Sequence, residues 1–355
     1  MRVGILTSGG DCQALNATMR GLALTLYRNV KDVEIIGFID GYKGLMYEKY
    51  KKMKPKDFYD ILNVGGSILG NSRCPFKRMR IIENGFDKVK AMKNTYKKLE
   101  LDCLVVLGGN GSIKSASMLS QEGLNVIALP KTIDNDAWGT DYTFGYSSAT
   151  AIATRYLDEI KTTAASHSRV FVIEVMGHKV GHICLSAGIA AGADVILLPE
   201  IPYDIKVVAK KVKETLKNEK NYAIIACAEG AISEADALMK RKDYKAKVLA
   251  RNGRSVTYEV ADELSQEIDA EIRVSCIGHA QRGGNPNSYD REISTRFGVE
   301  GARLIIKKHY GEYVVLQGNH VTHIPLEATA GKLKYVDTEG EIVQSAKLVG
   351  ISFGE

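Results

Sequence analysis

Two stretches of the chain decide the fold: Cys103–Ser112, CLVVLGGNGS, and Val126–Asp136, VIALPKTIDND. Each begins with a short apolar run, which predicts buried strands over Cys103–Leu107 and Val126–Leu129. The first predicted strand then ends in a loop of glycine and polar residues, and the second ends in a loop that carries two aspartates. Ligands of open parallel sheets bind beyond the carboxyl ends of the strands. We therefore expect a ligand site where these two loops lie.

The residue types in the two loops indicate phosphate chemistry. Gly109, Gly111 and Ser112 leave room for a phosphate to approach backbone N–H groups at the start of the next helix. The second loop carries the carboxylates of Asp134 and Asp136. A phosphate cradle beside a carboxylate pair is typical of metal-assisted phosphoryl transfer.

Composition places the chain among globular proteins of about two domains. It has 355 residues, of which 45% are hydrophobic, and a domain commonly takes roughly 150 residues. The formal net charge of +6 suits a phosphorylated substrate, although surface lysines kept for solubility explain it equally well. Basic residues are spread along the chain and aromatic residues make up only 7%, so no nucleic-acid surface is indicated.

Cysteine spacing and the amino terminus predict a soluble protein of the cytoplasm. The six cysteines show no C-x-x-C spacing, so we expect neither a zinc site nor disulfides. A strand is predicted over Val3–Thr7, close behind Met1, which leaves no room for a signal peptide. Apolar runs stay well short of the ~20 residues of a membrane span, so no membrane association is expected.

The rest of the chain alternates between predicted strands and helices. Further strands are predicted over Val33–Ile39, Arg169–Val175, Val195–Leu198, Tyr222–Cys227, Arg273–Ile277 and Tyr313–Gln317. Helices are predicted over Ser147–Ala164, Ile205–Asn218, Tyr258–Ile268 and Asp290–Lys308. The segment Ser233–Arg251 lacks a strong period, and we interpret it as a surface excursion. Such alternation indicates an α/β fold built on parallel sheets.

A series of short motifs resembles the phosphofructokinase family. In chain order they are TSGGD (Thr7–Asp11), GGNGS, PKTIDND, the segment from Arg169 through EVMG, AEG, and GHAQRGG (Gly278–Gly284). Any one motif is weak, since the glycine motif also occurs in lipid and NAD kinases. Their common order over residues 1 to about 320 is specific to the family.

The resemblance implies two stacked α/β domains, each a three-layer parallel-sheet structure, with an active site in the cleft between them. Residues 1–145 and 282–334 would form a larger domain that binds the phosphoryl donor. Residues 146–281 and 335–355 would form a smaller domain that binds the sugar phosphate. The subunits would assemble as a homo-oligomer, a tetramer or a dimer, in which a neighbour supplies some substrate contacts.

The same resemblance implies roles for individual residues in catalysis. Asp134 matches the base that accepts the proton of the C1 hydroxyl of fructose 6-phosphate while that oxygen attacks the phosphoryl group. Arg73 and Gly10 match residues at the transferred phosphoryl group, and Thr132 matches one that contacts this group and the sugar. Asp136 matches a carboxylate associated with Mg²⁺, the implied cofactor.

The positions that match the family's binding residues fall into two sets. The phosphoryl donor would contact Gly10, Arg73, Cys74, Gly109, Asn110, Gly111, Ser112 and Lys131. The sugar phosphate would contact Thr132, Asp134, Arg169, Met176, Gly177, Glu229, Arg273, His279 and Arg282. In the second set, the ring would be held by Met176, Gly177 and Glu229, and the 6-phosphate by Arg169, Arg273, His279 and Arg282. By family analogy, Arg169 and Arg273 would come from the adjacent subunit.

Two positions depart from the family pattern. Asn110 stands where a magnesium-linked aspartate is usual, so the metal would lose a charge there, although an amide oxygen can still reach Mg²⁺ through water. His178 stands where many members carry an arginine near the transferred phosphoryl group. These changes keep open an alternative of another class, a catalytically weak regulatory subunit that binds sugar phosphates. The intact Asp134 and Arg73 argue against it.

The phosphoryl donor depends on two positions that point in opposite directions. Family members that use ATP tend to have glycine at the positions of Gly111 and Lys131, and pyrophosphate enzymes have aspartate and lysine there. Gly111 leaves space for the nucleoside and the α-phosphate, whereas Lys131 would favour a small, highly charged donor. The space at Gly111 is the stronger criterion. A side chain that fills this space would exclude ATP, whereas the side chain of Lys131 can point away from the donor. ATP is therefore the predicted donor, and a pyrophosphate-dependent phosphotransferase is the alternative.

A nicotinamide oxidoreductase is the remaining alternative at the level of the fold. The chain lacks a G-x-G-x-x-G motif after its first strand, so this function is set aside.

Overall fold

The computed structural model describes residues 1–329 and 331–355, and the chain forms two compact units. The larger unit comprises Met1–Ser148 and Arg282–Lys334. The smaller unit comprises Ala149–Gln281 and Tyr335–Glu355. The chain therefore passes from one unit to the other three times.

The secondary structure alternates between strands and helices along the chain. The strands are β1 (Arg2–Ser8), β2 (Glu34–Phe38), β3 (Tyr50–Met53), β4 (Cys103–Gly108), β5 (Val126–Pro130), β6 (Val170–Val175), β7 (Val195–Leu197), β8 (Ala223–Ala228), β9 (Ile272–Cys276), β10 (Glu312–Gln317) and β11 (His320–Pro325). The first six helices are α1 (Leu15–Asn29), α2 (Tyr42–Met46), α3 (Lys88–Lys98), α4 (Asn110–Gln121), α5 (Tyr146–His167) and α6 (His182–Ala190). They are followed by α7 (Ile205–Asn218), α8 (Glu234–Ala237), α9 (Arg241–Ala250), α10 (Val256–Ser265), α11 (Ser288–Ile306) and α12 (Glu341–Leu348). Short 3₁₀ turns occupy Pro55–Phe58, Phe76–Arg78, Gly278–Arg282 and Leu326–Thr329.

The larger unit is built on a seven-stranded sheet in the order β11-β10-β5-β4-β1-β2-β3. Along β5, alternate side chains face opposite sides, as the period of a strand requires. Val126 and Ala128 join a core cluster with Ile113 and Leu119 of α4. On the other face, Leu129 lies under α11. Helices therefore cover both faces of this sheet, which gives the three layers of an α/β domain.

Helices α1 and α11 pack against each other through glycine. A Cβ added at Gly21 would lie 2.6 Å from the carbonyl oxygen of Thr295, and one added at Gly298 would lie 2.6 Å from the backbone nitrogen of Leu22. Real Cβ atoms do not approach backbone so closely. The absence of side chains at these positions therefore sets the distance between the two helices.

The smaller unit is built on a four-stranded parallel sheet in the order β7-β8-β6-β9. Its core joins valines of β6 to apolar residues of α7 and α10, including Val208 and Leu264. Asp204 caps α7 by accepting a hydrogen bond from the backbone N–H of Lys206 at 2.8 Å.

The alternating α/β pattern is confirmed, but the larger sheet is not wholly parallel. Its two edge strands, β3 and β11, are antiparallel to their neighbours. β3 is mostly exposed, and β11 mixes polar with apolar residues and is partly exposed, which suits the edge of a sheet and weakens the apolar signal of a strand. The segment Ser233–Arg251, interpreted as a surface excursion, contains the helices α8 and α9. Over residues 1–329 and 331–355, every helix is too short or too polar to cross a membrane.

The contact between α1 and α11 gives a prediction about stability. Gly298→Ala should destabilise the protein by about 2 kcal/mol, because the overpacking of backbone outweighs the better helix propensity of alanine. Gly301→Ala is the matched control, since its Cβ would meet only the side-chain ends of Leu22 and Leu129, at 3.1 and 3.5 Å. Thermal denaturation of both variants measures the difference. A Gly298→Ala protein as stable as Gly301→Ala would contradict the packing argument.

Candidate active site

The register of three parallel strands brings the predicted loops to one edge of the larger sheet. Ser8 of β1 pairs with Gly108 of β4, and Gly108 pairs with Pro130 of β5. The chain therefore leaves all three strands at the same level. The glycine turn after β1, the start of α4 and the loop after β5 lie side by side.

The turn after β1 is shaped by glycine. Gly9 has a φ of +89°, in the region that favours glycine. Its N–H donates to the carbonyl oxygen of Ser72 at 3.1 Å, which brings the Arg73 segment beside the turn. Arg73 is exposed, and Cys74 packs at the edge of the core. These three predicted donor-side positions, Gly10, Arg73 and Cys74, are thus neighbours.

The second loop forms the amino terminus of α4. Gly109 is the residue before the helix, and its carbonyl oxygen accepts hydrogen bonds from Ser112 N–H at 2.9 Å and Ile113 N–H at 3.0 Å. A Cβ added at Gly111 would have no atom within 4 Å, so this position faces open space. The positive end of the helix dipole favours an anion at this point.

Asn110 and Asp136 lie against each other at the head of this loop. The side-chain amide of Asn110 donates to Asp136 Oδ2 at 2.8 Å, and Asp136 is only 8% exposed. Oxygen ligands of this kind suit Mg²⁺, which protein sites often hold with one or two carboxylates plus substrate phosphates. Within the described part of the chain, no three His, Cys, Asp or Glu side chains gather to hold a metal without such help.

The loop that carries Asp134 is held by hydroxyl groups. Thr132 Oγ1 accepts a hydrogen bond from Asp134 N–H at 3.1 Å, and Thr143 Oγ1 donates to the Thr132 carbonyl at 2.8 Å. Asn135 has a φ of +54°, and its side-chain oxygen accepts from Thr143 N–H at 3.1 Å. Asp134 itself is half-buried. Its backbone is fixed on both sides, so the carboxylate has a defined position at the sheet edge.

Lys131 does not point into open space. Its side chain is buried, and its ammonium group donates to the carbonyl oxygen of Gly10. Burial lowers the pKa of this ammonium group. Arg282, predicted for the 6-phosphate, belongs to the larger unit, and its guanidinium donates to the Asp11 carbonyl at 3.0 Å. Two cations therefore hold consecutive carbonyl groups of the glycine turn.

In the smaller unit, the predicted ring-binding residues meet at the carboxyl ends of β6 and β8. Glu229 Oε1 accepts hydrogen bonds from Gly177 N–H at 3.1 Å and His178 N–H at 2.6 Å. The N–H of Met176 donates to Gln281 Oε1 at 3.2 Å. His279 is exposed on the turn that follows β9.

Two predicted residues of the 6-phosphate cluster lie elsewhere in the smaller unit. Arg169 and Arg273 both pair with the carboxylate of Glu271, and Arg169 Nε lies 2.8 Å from Glu271 Oε2. The hydrogen bond from Arg169 lowers the pKa of Glu271. This trio lies at the amino end of β6, a strand of six residues, so roughly 20 Å separates it from Met176 at the other end. One subunit does not bring these arginines to its own ring-binding residues.

The family follows from comparison with known proteins. The model of the family described as Phosphofructokinase matches residues 2–305. The chain belongs to the phosphofructokinase family. The ATP-dependent 6-phosphofructokinase of Spirochaeta thermophila is 46% identical, over 99% of this chain and 97% of that protein. The ATP-dependent 6-phosphofructokinase 3 of Bacteroides thetaiotaomicron is 42% identical over the full length of both chains.

A solved structure supports the same membership. The phosphofructokinase of Saccharomyces cerevisiae is 28% identical and superposes with a TM-score of 0.80 over 93% of this chain. This chain spans only 45% of the yeast chain. The α/β fold inferred from the motifs is therefore confirmed as that of a phosphofructokinase.

Lys334 is a residue of this phosphofructokinase that sequence reasoning missed. Its ammonium donates to the carbonyl groups of Thr140 at 2.9 Å and Asp141 at 2.8 Å, and its N–H donates to the Asp136 carbonyl at 2.9 Å. Burial lowers the pKa of Lys334 to about 8. Lys334 thus holds the loop that contains Asp136 from almost two hundred positions along the chain, and no local motif could have signalled it.

Asp290 is a second residue that sequence reasoning missed, and its contacts stabilise the structure near the site. It is fully buried and accepts hydrogen bonds from Gly145 N–H at 3.0 Å, Tyr142 hydroxyl at 3.0 Å and Ser148 N–H at 2.8 Å. Burial raises the pKa of its carboxyl group. Asp290 fixes the segment on both sides of Thr143, just before the chain leaves the larger unit.

Thr143 gives a prediction about the Asp134 loop. Thr143→Val keeps the shape of the side chain but leaves the buried Thr132 carbonyl without its donor, at a cost of about 1–3 kcal/mol. We expect a lower denaturation temperature and a lower kcat. Thr143→Ser retains the hydroxyl group and should keep most of the kcat. Equal kcat values in the two variants would show that this hydroxyl does not position the loop.

Proposed function

We propose that this chain is an ATP-dependent 6-phosphofructokinase of glycolysis, which transfers the γ-phosphoryl group of ATP to the C1 hydroxyl of fructose 6-phosphate. The observation that carries the proposal is the meeting of the glycine turn, the start of α4 and the Asp134 loop at one sheet edge. The printed names of the full-length relatives support the same activity.

Asp134 serves as the general base. It accepts the proton of the C1 hydroxyl as that oxygen attacks the γ-phosphorus and the bond to the leaving ADP oxygen breaks. The transferred group gains little from covalent chemistry, so positive charge and N–H donors matter most. Arg73, which is exposed beside the glycine turn, and the N–H of Gly10 supply them. Thr132 contacts the sugar and the transferred group.

Magnesium is the cofactor that these residues fit. Asp136 offers carboxylate oxygen atoms, one of which, Oδ2, is oriented by a hydrogen bond from the side-chain amide of Asn110, and the donor phosphates would complete the ligand set. The ion supplies positive charge to the phosphoryl group when bound. Since Asn110 adds no charge of its own, Asp136 carries the electrostatic part of binding. The Lys334 contacts keep the Asp136 backbone in place for this role.

The donor is ATP rather than pyrophosphate. Gly111 faces open space, which leaves room for a nucleoside and its α-phosphate. Lys131, the feature that favoured pyrophosphate, is engaged by the Gly10 carbonyl. Contacts to this donor come from the larger unit, through Gly10, Arg73, Cys74, Gly109, Asn110, Gly111 and Ser112, whereas Lys131 holds the Gly10 carbonyl.

The sugar phosphate draws on residues of more than one subunit. Met176, Gly177 and Glu229 hold the ring, and His279 and Arg282 bind the 6-phosphate. Arg169 and Arg273 act on the site of a second copy of the chain, because they lie roughly 20 Å from Met176 in their own subunit. The enzyme is accordingly a homo-oligomer, a dimer or a tetramer, and works in the cytoplasm.

Turnover of the purified protein on fructose 6-phosphate tests the activity and the donor together. With Mg²⁺ present, ATP and pyrophosphate are supplied in separate reactions, and we expect fructose 1,6-bisphosphate with ATP only. Formation of product with pyrophosphate alone would overturn the assignment of ATP as the donor and would indicate that Lys131 determines the choice of donor. A lack of product with either donor, combined with binding of fructose 6-phosphate, would leave the regulatory subunit as the function.

Asp134→Asn tests the assignment of the base. The amide cannot accept the proton, so kcat should fall by more than about a thousandfold, while fructose 6-phosphate binds nearly as before. Calorimetric titration of the variant with fructose 6-phosphate measures the binding. A variant that retained more than a small fraction of kcat would rule out Asp134 as the base.

Mixed oligomers test the sharing of arginines between subunits. We expect the Asp134→Asn and Arg273→Ser proteins to be inactive alone, whereas random mixing should restore roughly a quarter of the wild-type activity. The active sites that recover combine the intact Asp134 of one copy with the intact Arg273 of its neighbour. The control mixes Asp134→Asn with Glu229→Ala, which lie in the same site and cannot complement. Tagged copies verify that subunits exchange. If exchange occurred without recovery of activity, Arg273 would not act on a neighbour's site.

A further inference from the structure

We propose that Lys131 is a positioning residue of the donor-binding turn: its ammonium holds the carbonyl of Gly10 and thereby fixes the direction of the N–H groups offered to the donor phosphates. In this role Lys131 does not contact the donor as a free charge. The inference rests on the proposed function only in naming the phosphoryl donor as the ligand of the turn.

The first support is the confinement of the lysine. Lys131 is 2% exposed, and its backbone N–H donates to the Gly108 carbonyl at 3.1 Å, so the residue is fixed from its first atom. The ammonium lies so near the turn that a Cβ at Gly9 would be 3.4 Å from it. A buried ammonium group needs acceptors, and the Gly10 carbonyl is one.

The second support is the geometry of a trans peptide. In such a unit, the C=O and N–H bonds point in opposite directions. When Lys131 holds the Gly10 carbonyl on one side, the N–H of Asp11 is directed to the other side. Consecutive N–H groups in glycine turns are common phosphate ligands. Lys131 therefore sets the orientation of a potential donor for the phosphate without touching the phosphate.

The third support is the second cation on the same turn. Arg282 donates to the Asp11 carbonyl at 3.0 Å, so the next peptide unit is held in the same manner. The N–H of Gly9 is already taken by the Ser72 carbonyl at 3.1 Å. The turn is thus fixed at Gly9, Gly10 and Asp11. Its orientation is set before any ligand arrives.

This arrangement accounts for the mixed donor signature of the chain. Because Lys131 is hydrogen-bonded to a backbone carbonyl, it does not occupy the donor pocket. The open space at Gly111 then determines which donor fits. If Lys131 turned to a pyrophosphate instead, the half-buried Gly10 carbonyl would lose the hydrogen bond from its ammonium group.

Two substitutions separate a backbone hydrogen bond from a free charge. Lys131→Met has a similar length and no donor, whereas Lys131→Gln keeps an N–H₂ donor, one atom shorter, and has no charge. Hydrogen exchange of the protein without ligand is followed in peptides that cover residues 9–12. The KM for ATP, the KM for fructose 6-phosphate and kcat are measured alongside. Lys97→Met, which removes an exposed lysine of α3 in the same unit, is the control.

For Lys131→Met, we expect exchange of residues 9–12 to rise about tenfold and the KM for ATP to rise about tenfold, with the KM for fructose 6-phosphate unchanged. Lys131→Gln should stay within about threefold of wild type in all of these, and Lys97→Met should match wild type. Unchanged exchange in Lys131→Met, or an ATP KM raised tenfold in Lys131→Gln, would overturn the proposal in favour of a direct charge on the donor.

The activity measurement and the hydrogen-exchange measurement test different claims, so one can fail without the other. If the wild-type protein had no activity with ATP, the proposed function would be wrong, yet the exchange measurement would still decide whether Lys131 holds the turn. If Lys131→Met did not fold, Lys131→Gln alone would decide, since a neutral donor satisfies the Gly10 carbonyl and cannot replace a charge.

Discussion

The alignment of β1, β4 and β5 is the constraint on which the site depends. Ser8, Gly108 and Pro130 lie in register, so three loops start at the same level of one sheet. A slip of one residue would turn each side chain of a strand to the opposite face and move its loop along the sheet. The buried apolar faces of these strands make such a slip costly, because both faces are covered by helices. Core packing and site geometry are therefore fixed by the same interactions.

Backbone requirements explain which parts of the site could be predicted from sequence. A turn with positive φ at Gly9, or open space at Gly111, needs particular residues at particular spacings, so a motif records it. Lys334 and Asp290 act on backbone groups far away in the chain, and many local sequences can deliver a lysine or an aspartate to such a point. The edge strands β3 and β11 were missed for a related reason, since a half-exposed strand has little apolar pattern to detect.

Arg169 and Arg273 show that a match between a residue and a family motif does not by itself locate that residue relative to the site. Arg169 and Arg273 match the family's 6-phosphate cluster, yet strand β6 separates them from Met176 by roughly 20 Å. A motif gives the residue type and its spacing, but not the subunit on which the residue acts. Within its own chain, each arginine has Glu271 as a partner, which limits the cost of holding two guanidinium groups near each other. Arg273 and Glu271 of that cluster are exposed and Arg169 is half-buried, and exposure of Arg273 is what the proposed contact with a second subunit requires.

Lys131 shows how burial changes the role of a charged side chain. In a sequence, a lysine beside a phosphate loop suggests a ligand for phosphate, because opposite charges attract. In the structure the same group is desolvated, its pKa is lowered, and a carbonyl oxygen takes its hydrogen bond. In the proposed site the exposed Arg73 offers its charge to the donor, while the buried Lys131 and the half-buried Arg282 hold the carbonyl groups of the glycine turn.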